Sequence, residues 1–289
     1  MNTTSRLLET RNRRQRIGFV ALGVLTFITV LPILLVLGYI IYQGAPALSW
    51  EFISQAPTNG MKDGGILPAI VGTVYLTIGT AIFSVPLGIG AAIYLSEYAG
   101  DNRATRMIRI AIINLAGIPS VVYGLFGLGL FVLFLGLGTS IVAGSLTLGL
   151  MTMPVVISTA EEALLTVPQR FRVVSHSLGA TRWQTVRQVV LPNAIPGILT
   201  GVILGLERAA GETAPILFTV AAFYLPQLPR SPLDQTMALP YHLYVISTQV
   251  PGMPLEMQYG TALVLLVMVL GMNLVATLIR SRFRRRRQW

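Results

Sequence analysis

Three charged residues interrupt a stretch of the chain that is otherwise apolar. Glu207, Arg208 and Glu212 lie within residues 194–223, which are long and apolar enough to cross a membrane. A charge inside a span costs about 2.5–3.5 kcal/mol by insertion scales, so these residues are expected to pair or to face a cavity. Arg208 and Glu212 are four residues apart and share a helical face. They predict either a self-neutralising ion pair or, as we favour, part of a pore or gate, where the guanidinium supplies a forked set of donors.

Composition places these charges in a polytopic membrane protein. The 289 residues are 53% hydrophobic and only 11% charged, whereas soluble domains average about 25% charged residues. The high apolar content also excludes intrinsic disorder. Cysteine is absent, which excludes disulfide scaffolds, zinc–thiolate sites and thiol nucleophiles. The acidic residues outside the span form no catalytic pair, so the chain is not expected to be an enzyme.

Six stretches are long and apolar enough to span a bilayer. They are residues 17–42, 68–95, 107–134, 140–160, 194–223 and 259–280. The first exceeds the apolar length of a secretory signal, about 7–15 residues, and is predicted to be a retained helix. The expected organisation is a basic tail (1–16), one six-span domain (17–280) and a second basic tail (281–289).

The basic residues predict the orientation of these spans. All but three of the 21 lie in the two tails, in the loops after the second and fourth spans, or within three residues of these segments at the end of a span; the exceptions are Lys62, Arg208 and Arg230. Positive charge stays cytoplasmic, so both termini are expected inside. The tails are interpreted as topology determinants that meet anionic lipid headgroups, and no nucleic acid is expected as a partner. Lys62 lies outside any phosphate-binding P-loop, so the chain is not expected to bind ATP itself.

The long cytoplasmic loop, residues 161–193, has the pattern of two short helices. Proline suits a first helical turn, so Val167-Pro168 can begin the first helix, and apolar residues follow at helical spacing. Gly179 permits a sharp turn. A second run from Thr181 to Val190 is expected to stop at Leu191-Pro192. The pattern fits either a docking surface or an interfacial hairpin.

This loop resembles half of the EAA loop of ABC importer permeases. Gly179 is followed, after nine residues, by Val189-Val190-Leu191-Pro192, similar to the family's G-x9-I-x-L-P. The family's Glu-Ala-Ala falls on Val173-Val174-Ser175, so its acidic residue is missing. The resemblance implies contact with a cytoplasmic ATPase through Leu178, Gly179, Ala180, Thr181, Leu191 and Pro192.

Three further stretches resemble the PstA-type permeases of phosphate-specific ABC importers. They are residues 64–73, 117–124 and 208–215, which read GGILPAIVGT, GIPSVVYG and RAAGETAP. The resemblance implies an all-α type I ABC importer permease fold with six transmembrane helices in the bacterial inner membrane. It also implies a second permease subunit in a heterodimer, a dimeric ATPase that binds the ATP, and an extracytoplasmic phosphate-binding protein, with no cofactor in this chain.

On this interpretation Arg208 presents a cation to phosphate along the translocation pathway. Glu207 or Glu212 would accept a hydrogen bond from the ionisable phosphate OH and repel an anion that lacks it. Gly197, Gly201 and Gly205 are expected to continue the face of Arg208 and to let another helix approach at a two-subunit interface. The alternatives are a permease for another oxyanion or a phosphonate, an ion-coupled secondary transporter, and a membrane anchor that transports nothing.

The remaining polar residues suggest no further site. His176 and His242 lie on opposite sides of the membrane in the predicted topology, so they cannot share a metal ion. Glu161 and Glu162 are expected to form a solvated helix end. The outer loops, residues 43–67 and 224–258, suit either an extracytoplasmic partner or an ordered cap.

Overall fold

The computed structural model describes the backbone of residues 3–285 and the side chains of Asn12 and residues 15–282. Within this range the chain is almost entirely helical, and its only sheet is a two-stranded antiparallel pair. The twelve α-helices are α1 Thr3–Gly44, α2 Trp50–Ser54, α3 Leu67–Ile93, α4 Arg103–Ala116, α5 Ser120–Gly127, α6 Ile141–Leu165, α7 Gln169–Ser177, α8 Arg182–Thr185, α9 Leu191–Gly211, α10 Ala214–Thr219, α11 Leu239–Thr248 and α12 Leu255–Arg285.

Shorter elements connect or extend these helices. The strands are β1 Pro57–Thr58 and β2 Asp63–Gly64, and 3-10 turns cover Ala45–Ala47 and Asn59–Met61. Three π-helical segments, Tyr94–Tyr98, Leu128–Phe134 and Val186–Val190, extend α3 and α5 and join α8 to α9. Single π-helical turns inside α-helices are frequent at functional sites. Leu128–Phe134 follows the stretch 117–124, and Val186–Val190 lies within the loop 161–193, both of which the sequence analysis discussed.

The prediction of a polytopic all-α membrane protein is confirmed. Five helical segments in the described residues are long and apolar enough to cross a membrane, or six if α4 and α5 form one broken span. The span predicted over 107–134 is broken in the structure, since α4 and α5 meet at 101°. Pro119 lacks an N–H and has an extended backbone, so the helix cannot continue through Gly117-Ile118-Pro119.

Two further boundaries differ from prediction. The fifth span ends at Gly211 instead of 223, because Glu212 is extended and Pro215 occupies the first turn of α10. Helix α1 already begins at Thr3, so the predicted tail of residues 1–16 largely continues the first helix. No glycine or proline interrupts residues 3–16, and nothing local stops that helix. In the second tail, residues 286–289 lie outside the described residues.

Helix α6 lies at the centre of the fold. It packs against α3, α9, α4 and α5, and it is the most buried of the candidate spans, whereas α1 exposes its apolar length and meets mainly α12. Small residues line the α6 contacts. A Cβ on Gly144 would meet Val220 Cγ1 at 2.5 Å, and a Cβ on Gly88 would meet Val156 Cγ1 at 2.8 Å. A Cβ on Gly205 of α9 would lie 3.3 Å from Val156 Cγ2, so both α3 and α9 pack on α6, and this packing positions the charged end of α9.

Candidate functional site

The charged pair predicted in the fifth span forms at the end of α9. Arg208 lies in the last turn, and Glu212 follows the final residue of the helix, Gly211. The Nε atom of Arg208 donates to Oε1 of Glu212 at 3.3 Å, and the two side chains are 41% and 19% exposed. Among the described residues, the two Nη groups of Arg208 have no hydrogen-bond partner. Glu212 therefore steadies the guanidinium while its fork remains open to a ligand.

The sequence analysis expected Gly197, Gly201 and Gly205 to lie on the same helical face as Arg208. In the structure this glycine stripe lies on a different face of α9. Gly197 and Gly201 lie against α6 of the same chain, where a Cβ would meet Ala163 Cβ at 2.6 Å and would overlap Thr159 Oγ1. The buried series continues through Gly205 to Ala209, while Arg208 is exposed beside Leu204 and Gly211. The prediction of a subunit interface built on these glycines is wrong for this stripe, because α6 already fills it.

Glu207 differs from Glu212 in its surroundings. Its Oε1 atom is buried and has no hydrogen-bond partner within the described part of the chain. A buried acceptor without a donor is costly, and such atoms warrant a specific explanation. Arg208 engages one oxygen of Glu212, whereas the buried Oε1 atom of Glu207 has no donor among the described residues.

The three stretches that resemble the phosphate permeases lie close together in the structure. Residues 117–124 and 208–215 are in contact, and residues 64–73 end beside Glu212. Gly124 of α5 lies so close to α10 that a Cβ would be 2.9 Å from the Ala214 carbonyl oxygen and 3.0 Å from Pro215 Cα. A small cavity of about 10 Å³ beside Glu212 is also lined by Thr73, at the end of the first motif. The broken span, α3 and the end of α9 therefore converge on one region.

The loop between α6 and α9 folds as two short helices around a turn, as predicted. Helix α7 begins after Pro168, and Gly179 adopts a φ of +82° in the turn that follows. Thr181 and Gln184 then form a capping box, in which the Thr181 hydroxyl accepts from the Gln184 N–H and the Gln184 side chain accepts from the Thr181 N–H. This capping box satisfies two backbone N–H groups and so fixes the N-terminus of α8 at Thr181.

The loop does not end where the sequence analysis placed its end. Leu191-Pro192 was expected to stop the second helix, but α8 passes through the π-helical segment Val186–Val190 directly into α9. Pro192 lies in the first turn of α9, where a missing N–H is tolerated. The second half of the loop therefore forms one continuous helical segment with α9, the helix that carries Arg208.

Two apolar residues of α7 and the residue that caps its end are exposed. Val173, Val174 and Leu178 are all exposed, Leu178 by 83%. Val173 occupies the position of the glutamate that the EAA pattern would supply. An apolar tip on a helix that packs inward by its other face is suited to contact with a partner protein.

Two ion pairs behind this tip were missed by the sequence analysis. Arg172 of α7 is buried and pairs with Glu97 at 2.6 Å. Arg109 of α4 pairs with Glu161 at 2.8 Å, and Glu161 is only 12% exposed. The expectation of a solvated helix end is therefore wrong for Glu161, because α4 folds back across the end of α6. Polar patterning alone carried no signal that would pair these residues.

The two histidines lie in different elements of the fold, His176 in α7 and His242 in α11. His176 has its Nδ1 atom 3.1 Å from the Ala180 carbonyl oxygen in the loop, and His242 is buried in α11. In the described residues, no group of three or more histidine, aspartate or glutamate side chains could hold a metal ion.

Comparison with known proteins identifies the family. The model of the family "Binding-protein-dependent transport system inner membrane component" matches residues 84–289. The chain belongs to this family. It is therefore a multi-pass inner membrane component of a binding-protein-dependent transport system, and not an enzyme. Neither a gradient-driven secondary transporter nor a passive anchor fits this membership.

Individual relatives are similar over most of their length. The chain is 36% identical to the "Probable ABC transporter permease protein YqgI" of Bacillus subtilis, covering 82% of this chain and 85% of the relative. It is 34% identical to "Phosphate transport system permease protein PstA 1" of Mycobacterium tuberculosis, with 90% and 85% covered. It is 33% identical to the "Probable phosphate transport system permease protein PstA" of Methanocaldococcus jannaschii, with 89% and 90% covered.

Solved structures share the fold of this transport component. A chain of a bacterial ABC transporter involved in the import of alginate superimposes with a TM-score of 0.67 and 13% identity, covering 96% of this chain and 99% of that one. A chain of the inward-facing MetNI methionine ABC transporter gives a TM-score of 0.63 and 17% identity, with 75% and 95% covered. The predicted ABC importer permease fold is thus confirmed.

Proposed function

We propose that the chain is a permease subunit of an ATP-driven importer of inorganic phosphate. The observation that carries the proposal is Arg208, whose guanidinium is held through Nε by Glu212 on the exposed side of a spanning helix and keeps both Nη groups open. A planar fork of donors matches the oxygens of phosphate. The similarity to phosphate permeases over about nine-tenths of the chain supports the same substrate.

The partners follow from the same proposal. A second permease subunit completes the pathway in a heterodimer, and an extracytoplasmic phosphate-binding protein delivers the ion. A dimeric cytoplasmic ATPase binds the ATP and contacts the coupling loop, which we define as residues 161–193. Both termini are cytoplasmic, because the basic residues concentrate on that side. The exposed apolar tip of α7 supports this docking.

One arginine suits transport better than a cluster would. Conduction needs binding that is strong enough for entry and weak enough for release. Glu212 shares the charge of Arg208 and limits how tightly an anion is held. Glu207 supplies the acceptor for the OH of phosphate, since its Oε1 atom is unused within the described residues. Sulfate, which has no such proton near neutral pH, meets only repulsion there.

Uptake by the reconstituted complex tests the role of Arg208. Arg208→Gln should reduce ATP-dependent phosphate uptake about 10- to 100-fold, the loss expected for a charge-assisted hydrogen bond. Arg106→Gln is the matched control, because Arg106 is exposed outside this site. Assembly is verified by co-purification of all subunits. Normal uptake by an assembled Arg208→Gln complex would refute the pathway role.

Competition by sulfate tests the role assigned to Glu207. Glu207→Gln keeps the shape of the side chain but removes the repulsion. We expect sulfate to inhibit phosphate uptake more strongly in this variant than in the wild type. Equal inhibition in both would exclude Glu207 as the discriminating group. Strong inhibition of the wild type by sulfate or a phosphonate would instead favour a permease for that anion.

A further inference from the structure

Arg172 is the buried arginine among the described side chains. It lies on α7, inside the coupling loop, and all three of its nitrogen atoms are bonded. The Nε and Nη2 atoms donate to the carboxylate of Glu97 at 3.1 and 2.6 Å. The Nη1 atom donates to the Val167 carbonyl at 2.6 Å, and Nη2 also donates to the Leu164 carbonyl at 2.9 Å. One side chain therefore joins α7, the end of α6 and the end of α3.

The partner carboxylate belongs to the π-helical segment Tyr94–Tyr98 that ends α3. A second arginine holds the same segment from the other side. Arg109 of α4 donates to the Leu95 carbonyl at 3.1 Å and to Glu161 of α6 at 2.8 Å. Arg109 thereby connects the end of α3 to Glu161 of α6. Arg172 connects the same end of α3 to α7.

Apolar packing makes part of the connection between α7 and α3, since Phe171 lies against the cluster that includes Leu95. A cavity of about 300 Å³ lies beside the ion pair and is lined by both elements, including Ser96, Gln169 and His176. Both side chains of the pair are only 10% exposed. A buried ion pair is seldom more stabilising than apolar residues of the same size. Stability alone therefore gives no reason for this pair, whereas a directional connection across the cavity does.

We propose that Glu97 and Arg172 are positioning residues that transmit displacement of the coupling loop to α3. The ATPase moves the outer face of α7, and the ion pair on the inner face pulls the end of α3 with it. This role rests on the proposed function, since the ATPase supplies the movement. The second half of the loop needs no such connection, because α8 runs continuously into α9.

The number of phosphate ions moved per ATP hydrolysed, measured in the reconstituted complex, tests the connection. Removing one partner leaves a buried charge unpaired and endangers folding, so the informative variant combines Glu97→Gln with Arg172→Met. Because the apolar replacement of a buried pair is tolerated, we expect the variant to assemble and hydrolyse ATP, while the number of phosphate ions moved per ATP falls below the wild-type value. The matched control combines Asp101→Asn with Arg106→Gln, which removes an exposed pair at 4.0 Å and should leave the ratio unchanged.

A second variant keeps the test decisive if the double variant fails to assemble. Arg172→Lys preserves an ion pair with Glu97 but cannot satisfy both carbonyls, and it should retain most of the transport ratio. Loss of the ratio in an assembled Arg172→Lys complex would overturn the proposal, as would a wild-type ratio in the double variant. Absence of ATP-dependent phosphate uptake by the wild-type complex would instead overturn the proposed function.

Discussion

Gly201 of α9 lies directly against Thr159 of α6, so that a Cβ at position 201 would overlap the Thr159 hydroxyl. That hydroxyl donates to the Val155 carbonyl at 2.7 Å and stays within its own helix. The contact brings the two helix backbones together, and it sets the distance at which α9 holds Arg208. Helix spacing here depends on the absence of a side chain.

Gly201→Ala should therefore destabilise the protein. Either α9 moves away from α6 or Thr159 leaves its rotamer, and overpacking of this kind costs about 1–3 kcal/mol. The measurement is the thermal unfolding midpoint in detergent. Gly211→Ala is the matched control, because nothing lies within 4 Å of a Cβ at that position. Equal midpoints for the two variants would contradict the close contact.

His242 makes stability dependent on pH. It lies in α11, outside the candidate spans, and desolvation lowers its pKa to about 4. The unfolded chain takes up this proton near pH 6.5, whereas the folded chain stays neutral until about pH 4. The free energy of unfolding should thus fall as the pH drops from about 6.5 to 4, by about 3 kcal/mol in total.

The slope of thermal stability against pH checks this expectation. His242→Gln should flatten the decline between pH 7 and 5, whatever its effect on absolute stability. His176→Gln is the control, since His176 is exposed in the coupling loop. A decline in His242→Gln as steep as that of the wild type would show that other groups cause it.

Gly179 is required by the backbone of the coupling loop and not by its packing. Its φ is +82°, and nothing lies within 4 Å of a Cβ placed there. Gly179→Ala should cost about 1–2 kcal/mol, the penalty of a left-handed residue, and should reduce transport with little change in assembly. Asn tolerates this conformation better, so Gly179→Asn should retain more transport. Uptake that ranks alanine above asparagine would be inconsistent with a conformational role.

Local properties of the chain predicted much of the fold. The five apolar segments and the broken sixth were visible because hydropathy is summed over neighbouring residues. The turn at Gly179 was predicted because a glycine after an amphipathic run permits a positive φ. The Arg208–Glu212 pair was predicted because residues four apart meet on a helix even at its final turn. Each of these inferences needs only residues within one or two turns.

Other features depend on contacts between distant residues. Residues 107–134 were predicted as one span, but the 101° angle between α4 and α5 depends on α5 packing against α10. The glycine stripe of α9 was correctly seen as a packing surface, yet its partner is α6 of the same chain. Leu191-Pro192 was predicted to end the second helix of the loop because proline often ends helices. In the structure a π-helical segment connects α8 directly to α9.

Composition and hydropathy were sufficient to predict a multi-spanning helical protein, with an arginine suited to an oxyanion in one span and a two-helix loop among its basic residues. The burial of individual charges became visible only in the folded chain. Glu97 and Arg172 are 75 positions apart, and no periodicity relates them. Whether such residues meet depends on how α3, α6 and α7 pack, because desolvation and hydrogen bonding are properties of the assembled fold.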